Sequence, residues 1–177
     1  DNHFAYITKS DCEIIAHMYL KYGIEKTLNS LDGVFAFVLY DIENNKIVVA
    51  RDPVGIRSLY MGRTSDNEIG FCSEMKGLMF CDTVTQFPPG CYWSNDKPNN
   101  FNRYYDYEYK FNNDSKNIME KNLREYFTDA VIKRLMSDRP VGCLLSGGLD
   151  STLIAAIVKR YYGTINTYSI GLKDSVD

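Results

Sequence analysis

The chain has 177 residues, of which 45% are hydrophobic and 24% charged, with a net charge of −3 and a pI near 5.4. That length can bury one core or two small ones, and the composition is that of an ordinary globular protein. Without a basic footprint or an apolar run of bilayer length, neither nucleic acid nor a membrane is an expected partner. The five cysteines (Cys12, Cys72, Cys81, Cys91, Cys143) form no C-x-x-C pair and have only His3 and His17 as company. This excludes zinc spacing and fits small hydrophobes in a reducing, cytoplasmic compartment.

Ser10-Asp11-Cys12-Glu13 has the spacing of a capping box, with Ser10 as N-cap and Glu13 three residues on. The predicted helix runs to Gly23, and a second short helix covers Ile24 to about Leu31. Val34 to Tyr40 is apolar on both faces, so it is expected in the middle of a sandwich. Turn residues at 43–46 bring the chain back as a strand over Ile47 to Ala50. Leu59 to Gly62 and Ile69 to Cys72 form a second hairpin. Ser73 to Lys76 should cap a short helix ending near Phe80, and Cys91 to Trp93 reads as a strand. The first part is thus antiparallel and multi-stranded, with helices at its start and after the second hairpin.

A shift to polar residues divides the chain into 1–112 and 113–177. Beyond it, Ile118, Leu123, Phe127, Ala130, Val131 and Leu135 recur at helical spacing, predicting one amphipathic helix from about Ser115 to Met136. Arg139-Pro140 ends it. The run from Val141 reads as a buried parallel strand, Leu153 to Tyr162 as a helix stopped by Gly163, and Ile165 to Ile170 as the next strand, together a βαβ unit. Between first strand and helix lies Ser146-Gly147-Gly148-Leu149-Asp150-Ser151. Two glycines allow a tight turn, the first helical N–H groups face outward, and two serines add hydroxyls. Together these make a phosphate cradle, beside which the Asp150 carboxylate suits Mg²⁺. No Gly-Lys-Ser/Thr follows, so the loop is not a Walker A element. A plain strand–turn–helix connection would need neither the serines nor the aspartate.

Leu144 to Ser151 resembles the pyrophosphate loop of the ATP-pyrophosphatase enzymes. Upstream, Ser10 to Glu13, Asp32 to Phe37, Arg51-Asp52-x-x-Gly55-Ile56 with Leu59-Tyr60, and Ser73 to Lys76 resemble the glutaminase half of class II glutamine amidotransferases. In that order, along the whole chain, they are similar to the glutamine-hydrolysing asparagine synthetases. The resemblance implies an α+β sandwich, an incomplete αββα glutaminase of the N-terminal-nucleophile type, over residues 1–112. The start of an α/β nucleotide-binding synthetase domain follows over 113–177. The implied activity is asparagine formation: glutamine is hydrolysed, Mg²⁺ and ATP convert aspartate to β-aspartyl-AMP, and ammonia displaces AMP. Carried over by residue, Asp11 contacts glutamine. ATP is bound by Leu144, Ser146, Gly147, Gly148, Leu149, Asp150, Ser151 and Ile170, and the metal by Asp150 and Asp177. Taken by themselves, Asp11 reads as a complement to a helix dipole, and Leu144 and Ile170 as core.

The family's nucleophile is an N-terminal cysteine whose own α-amino group acts as base. Here the chain begins with Asp1 and Cys12 lies at a helix start, so no catalytic residue is expected in this stretch. It reads as an internal piece of a longer enzyme, inactive alone. Lys9, Arg57-Ser58 and Val176 also depart from the family's usual residues. Two other readings stay open: a β-lactam-synthetase-like adenylating enzyme with a silent glutaminase half, and a non-catalytic nucleotide-binding module. A homodimer stays open as well. His17 and the stretch Tyr104 to Tyr109 are expected to serve packing rather than a site.

Overall fold

In a computed structural model, which describes residues 6–109 and 113–171, the chain divides into two units, Asp1–Tyr109 and Lys110–Asp177. The first contains α1 (Glu13–Tyr22), α2 (Ile24–Ser30), β1 (Ala36–Asp41), β2 (Lys46–Arg51), β3 (Tyr60–Arg63) and β4 (Ile69–Cys72). A 3₁₀ turn (Met75–Leu78), β5 (Thr83–Gln86), β6 (Cys91–Ser94) and β7 (Asn102–Arg103) complete it. Two antiparallel sheets result, ordered β1-β2-β6-β7 and β4-β3-β5.

The sheets are built around β2, whose Val48, Val49 and Ala50 are completely buried, as a strand covered on both faces requires. Val49 clusters with Cys91 and Trp93 of β6 and with Leu59, Met61 and Phe87 from the second sheet and its flanks. The two sheets therefore meet across this face. Tyr92, next to Trp93, points the other way. Its hydroxyl donates to Glu25 of α2 at 3.0 Å, and Tyr19 of α1 donates to Asp41 at 3.1 Å. Burial and the Glu25 bond push the Tyr92 phenol up to about 12. On the far side of the second sheet, Gly62 and Gly70 are cross-strand partners. A Cβ on Gly62 would lie 2.5 Å from Cys81 Sγ, and one on Gly70 would lie 3.0 Å from Leu78 Cδ2. The glycine pair is the hollow into which the 3₁₀ turn and its exit pack.

A buried polar node holds the crossing between the sheets. Arg51 and Asp52 are almost wholly buried, yet each charge is solvated by backbone. The Arg51 guanidinium donates to the carbonyls of Phe87 (2.6 Å), Gly55 (2.7 Å) and Arg57 (2.7 Å). The Asp52 carboxylate accepts the N–H groups of Val54, Gly55, Ile56 and Arg57 at 2.7–3.1 Å. Gly55, at φ +74, makes the turn this requires.

The second unit contains α3 (Lys116–Lys133), β8 (Gly142–Leu144), α4 (Leu149–Tyr162) and β9 (Asn166–Tyr168). β8 and β9 pair in parallel with Cys143 opposite Thr167. Val131, Leu135, Cys143, Ala155 and Val158 form its core. No helix among the described residues is long and apolar enough to cross a membrane.

Several expectations need correction. β1 is covered on one face only, with Val38 and Tyr40 each 54% exposed, and it is an edge strand among the described residues; an apolar run does not say which of its faces is covered. Residues 73–76 lead only into a single 3₁₀ turn without a side-chain cap. β5 and β7 carry no strand signal in the sequence. Thr-Val-Thr-Gln offers little apolar signal, and pairing with β3 is what makes it a strand. Helix α3 ends at Lys133 rather than Met136, and the predicted stripe is buried only toward its end: Leu123 is 70% exposed, while Val131 and, past the helix, Leu135 are covered. β8 is a half-buried strand rather than a buried one, with only Cys143 of its three residues inside, and β9 is shorter than expected and exposed. Helix α4 begins at Leu149, so Asp150 and Ser151 belong to it. The cysteines are unpaired, but Cys12 is exposed and only Cys91 and Cys143 are buried. Tyr104 donates to the Arg51 carbonyl at 2.8 Å, whereas Tyr105, Tyr107 and Tyr109 stand exposed, Tyr105 edge-to-face with Tyr107 and Tyr107 tilted against Tyr109.

Replacing Asp52 with Ala would strand the amides it gathers inside the protein. Asp52→Ala is expected to cost about 3 kcal/mol of unfolding free energy, read from urea denaturation midpoints.

Candidate functional site

The first candidate position, Asp11, lies in the turn just ahead of α1, exposed to solvent. The capping box does not form: Cys12 is the N-cap and makes no side-chain cap bond. Glu13 reaches further back instead. Its carboxylate accepts the Ile7 N–H at 2.6 Å, the Thr8 N–H at 2.7 Å and the Thr8 hydroxyl, and lies 3.1 Å from His17 Nε2. Chiefly the Ile7 amide, and then the Thr8 hydroxyl, hold this carboxyl down from 4.5 to about 2. His17 also meets the edge of the Tyr6 ring, with centroids 5.6 Å apart. Neither Glu13's reach nor Thr8 was visible in the sequence, where Glu13 had the spacing of an ordinary capping partner.

The second candidate is the loop between β8 and α4. Gly147 adopts φ +89, a conformation open to glycine, and Gly148 is the extended N-cap of α4. The first α4 bond is the Thr152 N–H to the Gly148 carbonyl at 3.1 Å, so the amides of Leu149, Asp150 and Ser151 precede it and face out. Ser146 and Ser151 approach each other at 3.0 Å between their Oγ atoms. The Gly148 carbonyl also accepts the hydroxyls of Ser151 (3.1 Å) and Thr152 (2.8 Å). Thr152, which no motif in the sequence marks, is thus part of what shapes the loop.

The loop is fastened to the exit of β9. Leu145 N–H donates to the Tyr168 carbonyl at 2.8 Å, and Ser169 Oγ donates to the Leu145 carbonyl at 2.6 Å. These bonds bring the ends of the parallel strands together where an open α/β sheet takes its ligand. Leu144 is 81% exposed and Ile170 fully exposed, which overturns the core reading of both. Leu149 and Asp150 are exposed on the first turn of α4. Asp177 lies outside the described residues. Beside Leu144 and Ser151 an apolar cavity of about 570 Å³ opens between α3, β8 and α4. Chemically, outward amides, two hydroxyls, a helix N-terminus and one carboxylate suit a polyphosphate with its counter-cation. Among the described residues, no cluster of three or more His, Cys, Asp or Glu could hold a metal.

Comparisons with known proteins give two family matches. Residues 1–89 match the family model of the glutamine amidotransferase domain, and residues 122–177 that of asparagine synthase. The chain is 45% identical to a glutamine-hydrolyzing asparagine synthetase of Asparagus officinalis, over 97% of this chain and 31% of that protein. It is 43% identical to glutamine-hydrolyzing asparagine synthetase 1 of Arabidopsis thaliana, over 96% of this chain and 31% of that one. It therefore spans less than a third of these relatives' length. Among solved structures it resembles the glutamine phosphoribosylpyrophosphate amidotransferase from B. subtilis, with a TM-score of 0.50 and 21% identity over 94% of this chain and 40% of that one. A structure described as the allosteric regulatory enzyme of purine biosynthesis gives 0.50 and 19%, over 98% and 43%. These two likenesses concern the fold alone.

The Glu13 clamp sets a pH dependence. Its folded-state pKa is depressed, so its contribution is complete above about 4.5 and is lost as the pH falls through about 2. The Ile7 and Thr8 amide proton shifts should titrate with a midpoint near 2 rather than 4.5 in NMR spectra.

Proposed function

This chain belongs to the glutamine amidotransferase domain family, and we propose that the protein carrying it is a glutamine-hydrolysing asparagine synthetase. Residues 1–112 are the C-terminal part of its glutaminase domain, and residues 113–177 the first part of its synthetase domain. The reaction is the ATP-dependent amidation of aspartate with ammonia from glutamine, through β-aspartyl-AMP, releasing AMP and pyrophosphate. One observation carries the reading. A sandwich unit of amidotransferase type precedes, on the same chain, a Ser-Gly-Gly-Leu-Asp-Ser loop with outward amides at the exit of a parallel strand pair.

In this reading Asp11 pairs with the α-ammonium of glutamine. The amides of Leu149 to Ser151 and the hydroxyls of Ser146 and Ser151 receive the charge that builds on the β and γ phosphates as pyrophosphate leaves. Gly147 and Gly148 keep side chains out of that approach. Leu144, the last residue of β8, and Ile170, just past β9, flank the nucleotide. Asp150 and Asp177 are the carboxylates for Mg²⁺, which neutralises phosphate charge when bound. One exposed carboxylate in the described loop fits an ion that takes most of its ligands from phosphate and water. The unpaired cysteines support a reducing, cytoplasmic setting.

The complete protein should exchange labelled pyrophosphate into ATP only when aspartate is supplied; exchange that ignores aspartate would sink the synthetase reading. Asp150→Ala should lower that exchange by about 100-fold or more while glutamine hydrolysis persists. Survival of both activities removes Asp150 from the metal site.

A further inference from the structure

The geometry points to Glu13 as a positioning residue for glutamine recognition, whose carboxylate clamps the segment from Ile7 to Ser10 onto the first turn of α1 and so fixes the turn bearing Asp11. This deepens the proposed function and rests on the reading of Asp11 as the partner of the glutamine α-ammonium.

The clamp is more than a helix cap. A capping box would spend Glu13 on the Ser10 N–H. Here one carboxylate oxygen takes the Ile7 amide at 2.6 Å, and the other takes the Thr8 amide at 2.7 Å together with the Thr8 hydroxyl. A carboxylate can only accept, so the Thr8 hydroxyl is obliged to donate to it. That leaves a Thr8 lone pair for the Ser10 N–H, which it accepts at 3.2 Å, and Ser10 Oγ in turn accepts the Cys12 N–H at 3.3 Å. The relay runs on both sides of Asp11 and ends at the N-cap of α1. The Asp11 carboxylate stays exposed, with Oδ1 3.7 Å from Cys12 Sγ. An exposed turn held in one conformation before the ligand arrives loses less conformational entropy on binding. Such preorganisation is what an exposed aspartate on a short turn needs if it is to discriminate by position.

Glutamine at this position breaks the relay without removing bulk. Its amide has one acceptor oxygen, and its NH₂ group would face the donors that the second carboxylate oxygen now receives. In the complete protein, Glu13→Gln is expected to raise the KM for glutamine about tenfold while kcat for glutamine hydrolysis stays within about twofold. Ammonia-dependent asparagine formation, which bypasses glutamine, serves as the control and should hold. Because Glu13 acts through Asp11, adding Glu13→Gln to Asp11→Asn should raise KM no further than Asp11→Asn alone. An unchanged KM in Glu13→Gln, beside a raised KM in Asp11→Asn, overturns the positioning role and leaves the glutamine reading standing. An unchanged KM in Asp11→Asn instead overturns that reading itself. If Glu13→Gln also depresses the ammonia-dependent rate, the fold is compromised and Thr8→Val decides. It removes only the relay hydroxyl from an exposed residue, should raise KM about threefold, and an unchanged KM there overturns the inference.

Discussion

The first unit depends on two buried charges that do not neutralise one another. Arg51 and Asp52 leave β2 side by side, and each is satisfied by peptide groups: the guanidinium by three carbonyls, the carboxylate by four amides. Taking an ion out of water is affordable only if its lone pairs or protons are all met. The requirement therefore falls on the backbone of residues 54–57, which has to curl around Asp52, and on Phe87, which has to offer its carbonyl to Arg51. Through their own main chain, Asp52 donates to Phe35 and accepts from Gly90, and Arg51 accepts from the Tyr104 hydroxyl. One dipeptide thus ties β1, the crossing loop, the end of β5 and the strand beyond β6 into a single arrangement. The apolar contacts of Val49, Phe87 and Trp93 supply burial, but contacts of that kind tolerate sliding. The charged node does not.

Carboxylates recur as organisers of loose chain, and the contrast with the second unit is informative. Asp52 gathers the amides of its own loop, and Glu13 gathers those of Ile7 and Thr8; in both cases the donors are consumed internally. The loop after β8 does the reverse. Its side chains bond to each other and to the Gly148 carbonyl, which leaves the amides of the first α4 turn pointing outward. A loop that satisfies its carbonyls and presents its amides is prepared for an anion; one that folds a carboxylate over its amides is prepared to stay put. That distinction separates scaffold from site here without reference to any ligand.

Much of the local structure was legible in the residues. The Asn-rich turn at 43–46, the second hairpin, the Gly23 and Gly163 helix stops and the Ser-Gly-Gly loop are written in short-range chemistry, where glycine and turn residues have few alternative conformations. The loop residues Ser146 to Ser151 stood out for the same reason. Less legible were features whose cause lies far along the chain. β5 is a strand because β3 lies beside it, and its Thr-Val-Thr-Gln gives no period to read. β1 is as apolar as a central strand yet sits at an edge among the described residues, since apolarity reports removal from water and not which neighbour removes it.

The same division holds for the site residues. Sequence by itself determined the glycines, serines and aspartate of the loop and their order behind the sandwich unit, because backbone conformation and donor chemistry are properties of the residues themselves. It did not determine that Leu144 and Ile170 stand in solvent at the strand exits. That depends on the β8–β9 pairing and on Leu145 and Ser169 stitching the ends together. Nor did it show that Glu13 bypasses Ser10 for Ile7 and Thr8. A capping box and a longer clamp share one spacing, and only the path of the chain before the helix decides which amides come within reach of the carboxylate.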